Sequence, residues 1–401
     1  MRQLNRNYLL YTISSAAFLV FFQAFMVAPI IPKLAQVFKV SPTAIGSIIP
    51  AFLIPYGVST LFYGPLSDRY GRKPILYFCL SGFIVLTGLT SISRTASAML
   101  LFRLFGGLFA GGIVPIALAL ISDLFLYEER GHAIGWLFGA MAGGMAFGST
   151  FGAVLEPFIS WRMLFLSVAV LISIVFAVLL QFGSLLNVKR SGKARPSILA
   201  GAFRGYVSLI RLKRGLRTYV YVFLNGVLHS GIYTWLGYLF FVRYNMGEVG
   251  IGIALLGYGI PGFLFGPAIG KLADRVGRRR LIPAGLVIAG MSSILLAFHL
   301  PVPLAALVIA VLSLGYDMTQ PLLAGIVTDL SPDKGLAIGM MAFVLFLGFG
   351  IGSMVFSSTM QRVGMHNAFI DFGLMGAVLA LLAVPLYKHE KTVKVREKQI
   401  I

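Results

Sequence analysis

The sequence predicts an all-α integral membrane protein with twelve transmembrane helices, arranged as two six-helix bundles that repeat in parallel. Three observations carry that expectation: a shortage of charge, twelve apolar runs of membrane-crossing length, and a decapeptide that occurs twice. Only 11% of the 401 residues are charged and 58% are hydrophobic, whereas a soluble domain carries roughly 25% charged side chains. A water-facing surface cannot be covered with so little charge, so the apolar surface must face lipid.

A bilayer core of about 30 Å needs roughly 20 apolar residues of helix. Twelve segments qualify, near 8–31, 44–66, 74–93, 97–121, 133–155, 163–185, 217–241, 250–270, 281–299, 303–328, 335–360 and 367–387. Helices satisfy every backbone group within one segment, and no alternating ten-residue pattern points to a barrel. The first run, from Tyr8 to Ile31, exceeds a signal-peptide core of about 7–15 residues and reads as a retained span. The division expected is an N-terminal bundle over 1–186, a basic linker over 187–216, a C-terminal bundle over 217–388 and a tail over 389–401.

The net charge of +20 comes from 33 basic residues set in short segments between apolar runs. With the N-terminus inside, the inner segments hold 26 of them and the outer segments six (Lys33, Lys39, Arg94, Arg162, Arg243 and Arg362), while Arg103 lies within a span. That asymmetry predicts cytoplasmic termini. It also argues against nucleic acid as partner, because the charge is not gathered on one face of a folded domain. The linker holds eight Lys/Arg and no acid between 187 and 215 and reads as an anchor against anionic headgroups. The single cysteine, Cys79, lies in an apolar run and can form no intramolecular disulfide.

The repeat is explicit. Gly64-Pro-Leu-Ser-Asp68-Arg69-Tyr-Gly71-Arg72-Lys73 returns 206 residues later as Gly270-Lys-Leu-Ala-Asp274-Arg275-Val-Gly277-Arg278-Arg279. The same offset aligns Ser122-Asp123-Leu124 with Thr328-Asp329-Leu330, and Arg130–Gly135 matches Lys334–Gly339 at an offset of 204. Spans two to five thus correspond to spans eight to eleven. Six spans per half insert both copies in one direction, a layout common among secondary transporters, with the binding site at the repeat interface.

These decapeptides resemble the loop 2–3 signature of the major facilitator superfamily, and the resemblance covers essentially the whole chain. It implies the major facilitator fold and a gating role for Gly64, Asp68, Arg69, Gly71, Arg72 and their second-half equivalents Gly270, Asp274, Arg275, Gly277 and Arg278. The residues themselves agree: glycine permits a tight turn and close helix ends, and the aspartates can cap helices or pair with nearby arginines. Three further features resemble the twelve-span drug:proton antiporters. Arg103 with Gly107 matches an R-x-x-x-G motif tied in that branch to proton coupling; a helix-packing role for the arginine is the alternative. Gly144, Gly148 and Gly152 resemble the antiporter glycine motif, although Ser149 and Ala153 replace its proline and last glycine. Small residues at that spacing let helices pack closely.

The third feature is an acid in span ten. Asp317 lies about fourteen residues, or roughly 21 Å, from the outer end of its span, so it is expected to carry the coupling proton or to contact a cationic substrate. A static interhelical bond is the competing reading. Glu156, before Pro157, is a second proton candidate. Asn225, His229 and Tyr233 follow i, i+4, i+8 spacing and share a helical face; with Gln23 and Gln320 they are expected to line the cavity.

No phosphate-cradling G-x-x-x-x-G-K-[ST] loop occurs, which argues against ATP-driven transport. No His/Cys group has metal spacing, and no nucleophile–base arrangement can be read, so neither cofactor nor enzymatic activity is expected. The resemblance implies a secondary transporter in a bacterial cytoplasmic membrane that exports small amphipathic or cationic organic compounds in exchange for protons, with no obligate protein partner. A proton-coupled nutrient importer and a non-transporting sensor are the alternatives.

Overall fold

The computed structural model describes residues 2–186, 198–259, 276–331 and 334–388, together with 261, 269, 272 and 390. Gly270, Asp274 and Arg275 of the second decapeptide lie outside the described residues. Every regular element described is helical. The first bundle of elements comprises α1 (Arg2–Phe25), a 3-10 turn (Ala28–Ile30), α2 (Ile31–Phe38), α3 (Pro42–Gly46), α4 (Ile48–Tyr70), α5 (Arg72–Ser91), α6 (Ala96–Ala110), α7 (Ile113–Leu124) and α8 (Tyr127–Gln181). Then follow α9 (Ile198–Arg211), α10 (Lys213–Tyr244), α11 (Glu248–Ala254), α12 (Arg278–Ala297), α13 (Val302–Val327) and α14 (Lys334–Leu386).

Among the described residues, eight helical stretches are long and apolar enough to cross a membrane. Two of them, 50 and 52 residues long, far exceed the roughly 20 that one crossing needs. Each breaks once: α8 at Ser160, with φ 58°, and α14 at Gly364, with φ 83°. The 32-residue α10 is not among the eight. Asn225, His229, Ser230 and Thr234 lower its hydropathy, and most of its length is buried against other helices.

Two features differ from the expected spans. The fourth run is two helices, α6 and α7, parted at Gly111–Gly112. A Cβ on Gly111 would collide with the Tyr56 carbonyl oxygen, so the chain bends where α4 presses against it. The linker is not wholly irregular either, because α9 occupies 198–211. Its Tyr206 hydroxyl donates to the Leu61 carbonyl at 3.3 Å, and Phe203 meets Phe62 with ring centroids 5.9 Å apart.

Close backbone approach explains the glycine stripes. A Cβ at Gly144, Gly148 or Gly152 of α8 would strike the carbonyl oxygens of Phe18, Phe22 and Met26 in turn, at 2.5 Å for the latter two. The first of those carbonyls lies on α1 and the last just beyond it. The contact recurs between α14 and α10, where Gly348 and Gly352 lie over the Phe223 and Val227 carbonyls. Backbone breaks recur as well. Lys39 and Asn245, 206 residues apart, end α2 and α10 in the left-handed conformation (φ 53° and 50°). Gly71 and Gly277, equally spaced, precede α5 and α12 with φ of 103° and 89°.

Candidate functional site

Polar side chains gather where α10, α13, α14 and the turn after α11 meet. On α10 the i, i+4, i+8 face presents Asn225, His229 and Tyr233 as expected. Asn225 Nδ2 donates to Gln320 Oε1 at 3.0 Å, and Thr319 Oγ1 donates to Asn225 Oδ1 at 3.1 Å. His229 Nε2 and the Tyr258 hydroxyl are 2.6 Å apart. The Tyr233 hydroxyl donates to the Phe25 carbonyl at 3.1 Å, which ties α10 to the end of α1.

Asp317 stands in the C-terminal half of α13. Ser313, one turn earlier, donates to its Oδ2 at 3.0 Å and accepts from the Gly259 backbone N–H at 2.9 Å. The hydroxyl is therefore oriented by the turn after α11 and hands its own proton to the carboxylate. Two polar atoms in this cluster are buried without a hydrogen-bond partner, the Tyr316 hydroxyl and Gln320 Nε2. Buried donors rarely stay unmade, because each costs about 1–3 kcal/mol.

Aromatic rings close the cluster toward the first six helices. Phe25 meets Tyr233 at 5.4 Å and Phe349 at 6.4 Å, and Tyr56 meets Phe346 at 4.4 Å. Sequence reasoning missed Ser313, Tyr316 and Thr319, although the spacing that selected Asn225, His229 and Tyr233 would have found the first two beside Asp317. It also missed Tyr258, which lies beyond the last turn of α11 and carries no periodic signal.

The remaining site residues lie elsewhere. Gln23 does not join the cluster, because its Oε1 accepts from Arg103 Nη1 at 2.9 Å. Arg103, 1% exposed, also donates to the carbonyls of Gln23, Ala24 and Ile48 at 3.3–3.5 Å and lies 4.4 Å over the Phe52 ring. All its acceptors are neutral, and two are terminal carbonyls of α1, where a cation is favoured. Glu156 is 3% exposed on α8, 3.9 Å from Lys33 Nζ, which also stands 3.8 Å from Glu248. In the first decapeptide Arg72 pairs with Asp68 and donates to Ser67 Oγ at 2.7 Å and Asp123 Oδ2 at 3.1 Å. Arg278 reaches Asp329 at 3.3 Å. No group of three or more His, Cys, Asp and Glu that could hold a metal occurs among the described residues.

The family model for the Major Facilitator Superfamily matches residues 13–250 and 238–400. The chain belongs to the major facilitator superfamily. Among its relatives in that superfamily, the MFS-type transporter YceJ of Bacillus subtilis (strain 168) is 26% identical over 392 residues, 96% of each chain. The class H tetracycline resistance protein of Pasteurella multocida is 26% identical over 384 residues, 91% of this chain and 92% of that one. The fold is that of the solved human organic anion transporter MFSD10, with a TM-score of 0.72, 20% identity, and coverage of 94% of this chain and 99% of that one. This major facilitator is thus a multi-pass membrane transporter of small molecules with an all-helical fold.

Proposed function

We propose that the chain is a proton-coupled exporter of small amphipathic or cationic organic compounds, built from twelve crossings in two parallel six-helix halves that rock about a central site. The two-half layout is supported by geometry that returns at fixed spacing: the Arg72–Asp123 and Arg278–Asp329 pairs, and the breaks at Ser160 and Gly364. Twelve crossings follow if the two broken helices each cross twice, α10 crosses once, and the stretch beginning at α11 supplies the last. Placement of the basic decapeptide loops inside sets both termini in the cytoplasm of a bacterial cell.

The observation that carries the function is Asp317, an acid on a membrane-length helix, held by Ser313 in a polar cluster that touches the first half through Tyr233 and Phe25. An ionisable group at such depth is costly and marks an ion or substrate path. Protonation from outside and release inside, coupled to substrate exchange at the same cluster, gives antiport by alternating access. Export follows the tetracycline resistance relative. Arg103 serves this scheme as a clasp for α1, α4 and α6, and Lys33 links Glu156 to Glu248 at the outer face.

The test is efflux of ethidium from preloaded, efflux-deficient cells carrying wild type or Asp317→Asn at equal surface expression, with and without a protonophore. Loss of efflux in both the variant and the protonophore arm supports the reading. Normal export by Asp317→Asn against a gradient removes Asp317 from the proton path, and proton-driven uptake of a polar compound without efflux makes the chain an importer.

A further inference from the structure

His229 is enclosed by four aromatic rings. Its imidazole stacks on Phe349, with centroids 5.0 Å apart and planes 12° from parallel. Tyr316 stands at 4.7 Å, Tyr258 at 5.5 Å and Tyr233 at 6.3 Å. These four rings are themselves buried, each 6% exposed or less. They come from α10, the turn after α11, α13 and α14, so no local packing rule of one helix brings them together.

A ring of aromatic faces around a flat nitrogen heterocycle is the arrangement that binds organic cations. Here the heterocycle belongs to the protein. Its nitrogen is held by the Tyr258 hydroxyl at 2.6 Å. One wall is unfinished, because the Tyr316 hydroxyl is buried and has no hydrogen-bond partner. A negative group stands close by. Tyr258 lies within electrostatic reach of Asp317, whose carboxylate is aligned through Ser313 by the residue next to Tyr258, Gly259. His229 is only half-buried, so its own side chain has a path out of the cage.

We propose that Tyr233, Tyr258, Tyr316 and Phe349 form a binding cage for a planar heteroaromatic cation of one or two rings, and that His229 is the resident stand-in such a ligand displaces. The ligand's ring takes the place of the imidazole on Phe349, and its positive charge faces Asp317. The free Tyr316 hydroxyl meets a ring substituent. While His229 fills the cage, apparent affinity falls by the fraction of time the cage is empty. The plug therefore keeps the site from holding the cation too tightly to release it. This deepens the exporter reading and rests on it for the claim that the bound cation is cargo.

The experiment measures equilibrium binding of N-methylquinolinium, and of neutral quinoline as the uncharged control, to the full chain in nanodiscs at pH 7.5. No gradient is present, so binding is read whatever the efflux assay finds. His229→Ala and His229→Ser clear the cage and are expected to bind N-methylquinolinium about tenfold more tightly than wild type. His229→Phe keeps the cage filled and gains nothing. In the His229→Ala background, Phe349→Leu loses about the same factor, and Asp317→Asn loses the preference for the cation over quinoline. The proposal is overturned if folded His229→Ala and His229→Ser bind no more tightly than wild type, or if Phe349→Leu is silent. Equal binding of quinoline and N-methylquinolinium overturns the cation assignment. Cation binding without ethidium efflux would retain the cage and remove the exporter reading.

Discussion

Arg72 donates from Nε to Asp123 Oδ2 at 3.1 Å, joining the start of α5 to the end of α7. Arg278 and Asp329, each 206 residues further on, join the start of α12 to the residues after α13 in the same way, at 3.3 Å. All four side chains are partly exposed, and exposed pairs contribute only about 0–1 kcal/mol. Their effect should therefore fall on the moving states more than on stability. Arg72→Ala and Arg278→Ala are each expected to leave the melting temperature nearly unchanged while lowering transport several-fold. A double-mutant cycle with Asp123→Ala or Asp329→Ala reads the coupling. Additive rate losses would show that the pairs are not made or broken during transport.

Gly148 and Gly352 set how closely α8 approaches α1 and α14 approaches α10. A Cβ at Gly148 would stand 2.5 Å from the Phe22 carbonyl oxygen, and at Gly352 it would strike the Val227 carbonyl. Neither oxygen can yield without moving a helix. Gly148→Val and Gly352→Val should each destabilise by more than about 3 kcal/mol, the range of overpacked cores. Gly139 has nothing within 4 Å of a built Cβ, so Gly139→Ala should be neutral or gain about 0.5–1 kcal/mol. Fluorescence-detected size exclusion after graded heating separates these outcomes.

What could be read from the sequence was whatever is local or periodic. Apolar runs announced the helices, the doubled decapeptide announced a repeat, and the α10 face of Asn225, His229 and Tyr233 followed from spacing alone. The expectation that Asp68 pairs with a nearby arginine is met by Arg72. Contacts between distant segments were not legible. Gln23 looked like a cavity residue because nothing in α1 shows that Arg103, on α6, takes its carboxamide. The matching left-handed residues Lys39 and Asn245 share no residue type, so only backbone geometry reveals them. Tyr258 belongs to a turn and reaches His229 through tertiary packing. The break at Ser160 gave no glycine to mark it, whereas its counterpart is Gly364.

Arg103 should prove a folding residue. It satisfies Gln23 Oε1 and the carbonyls of Gln23, Ala24 and Ile48 from one buried guanidinium. Arg103→Ala leaves those oxygens without their donor, at about 1–3 kcal/mol for each that no water reaches. Arg103→Lys keeps the charge but loses the planar fork and the stacking on Phe52. Both variants should lose thermal stability, alanine more, whereas Gln23→Ala removes a single acceptor and should cost about 1 kcal/mol. A stable Arg103→Ala that binds substrate but uncouples from protons would instead place the residue in the proton path.

Glu390 gives the chain an acid-sensitive clasp beyond its last helix. Arg214 grips its carboxylate with both branches, Nε to Oε1 at 2.9 Å and Nη2 to Oε2 at 2.7 Å, and Arg217 also donates to Oε1. Arg217 lies 4.3 Å over the Tyr387 ring and donates to the Leu386 carbonyl. Burial pushes the Glu390 carboxyl up, but the hydrogen bonds and charges of the two arginines outweigh it and hold it below its ordinary value. A carboxyl with a depressed value in the fold stabilises it above the unfolded value, and that contribution disappears as pH falls through the depressed one. Glu390→Gln should therefore cost about 1–2 kcal/mol at neutral pH, allowing for the exposure of Arg214. Its stability should also vary less than wild type as pH drops from about 5 to about 3. Melting curves of both proteins in nanodiscs across that range decide it: converging curves at low pH identify the Glu390 clasp, and parallel curves show that the acid sensitivity belongs to other carboxylates.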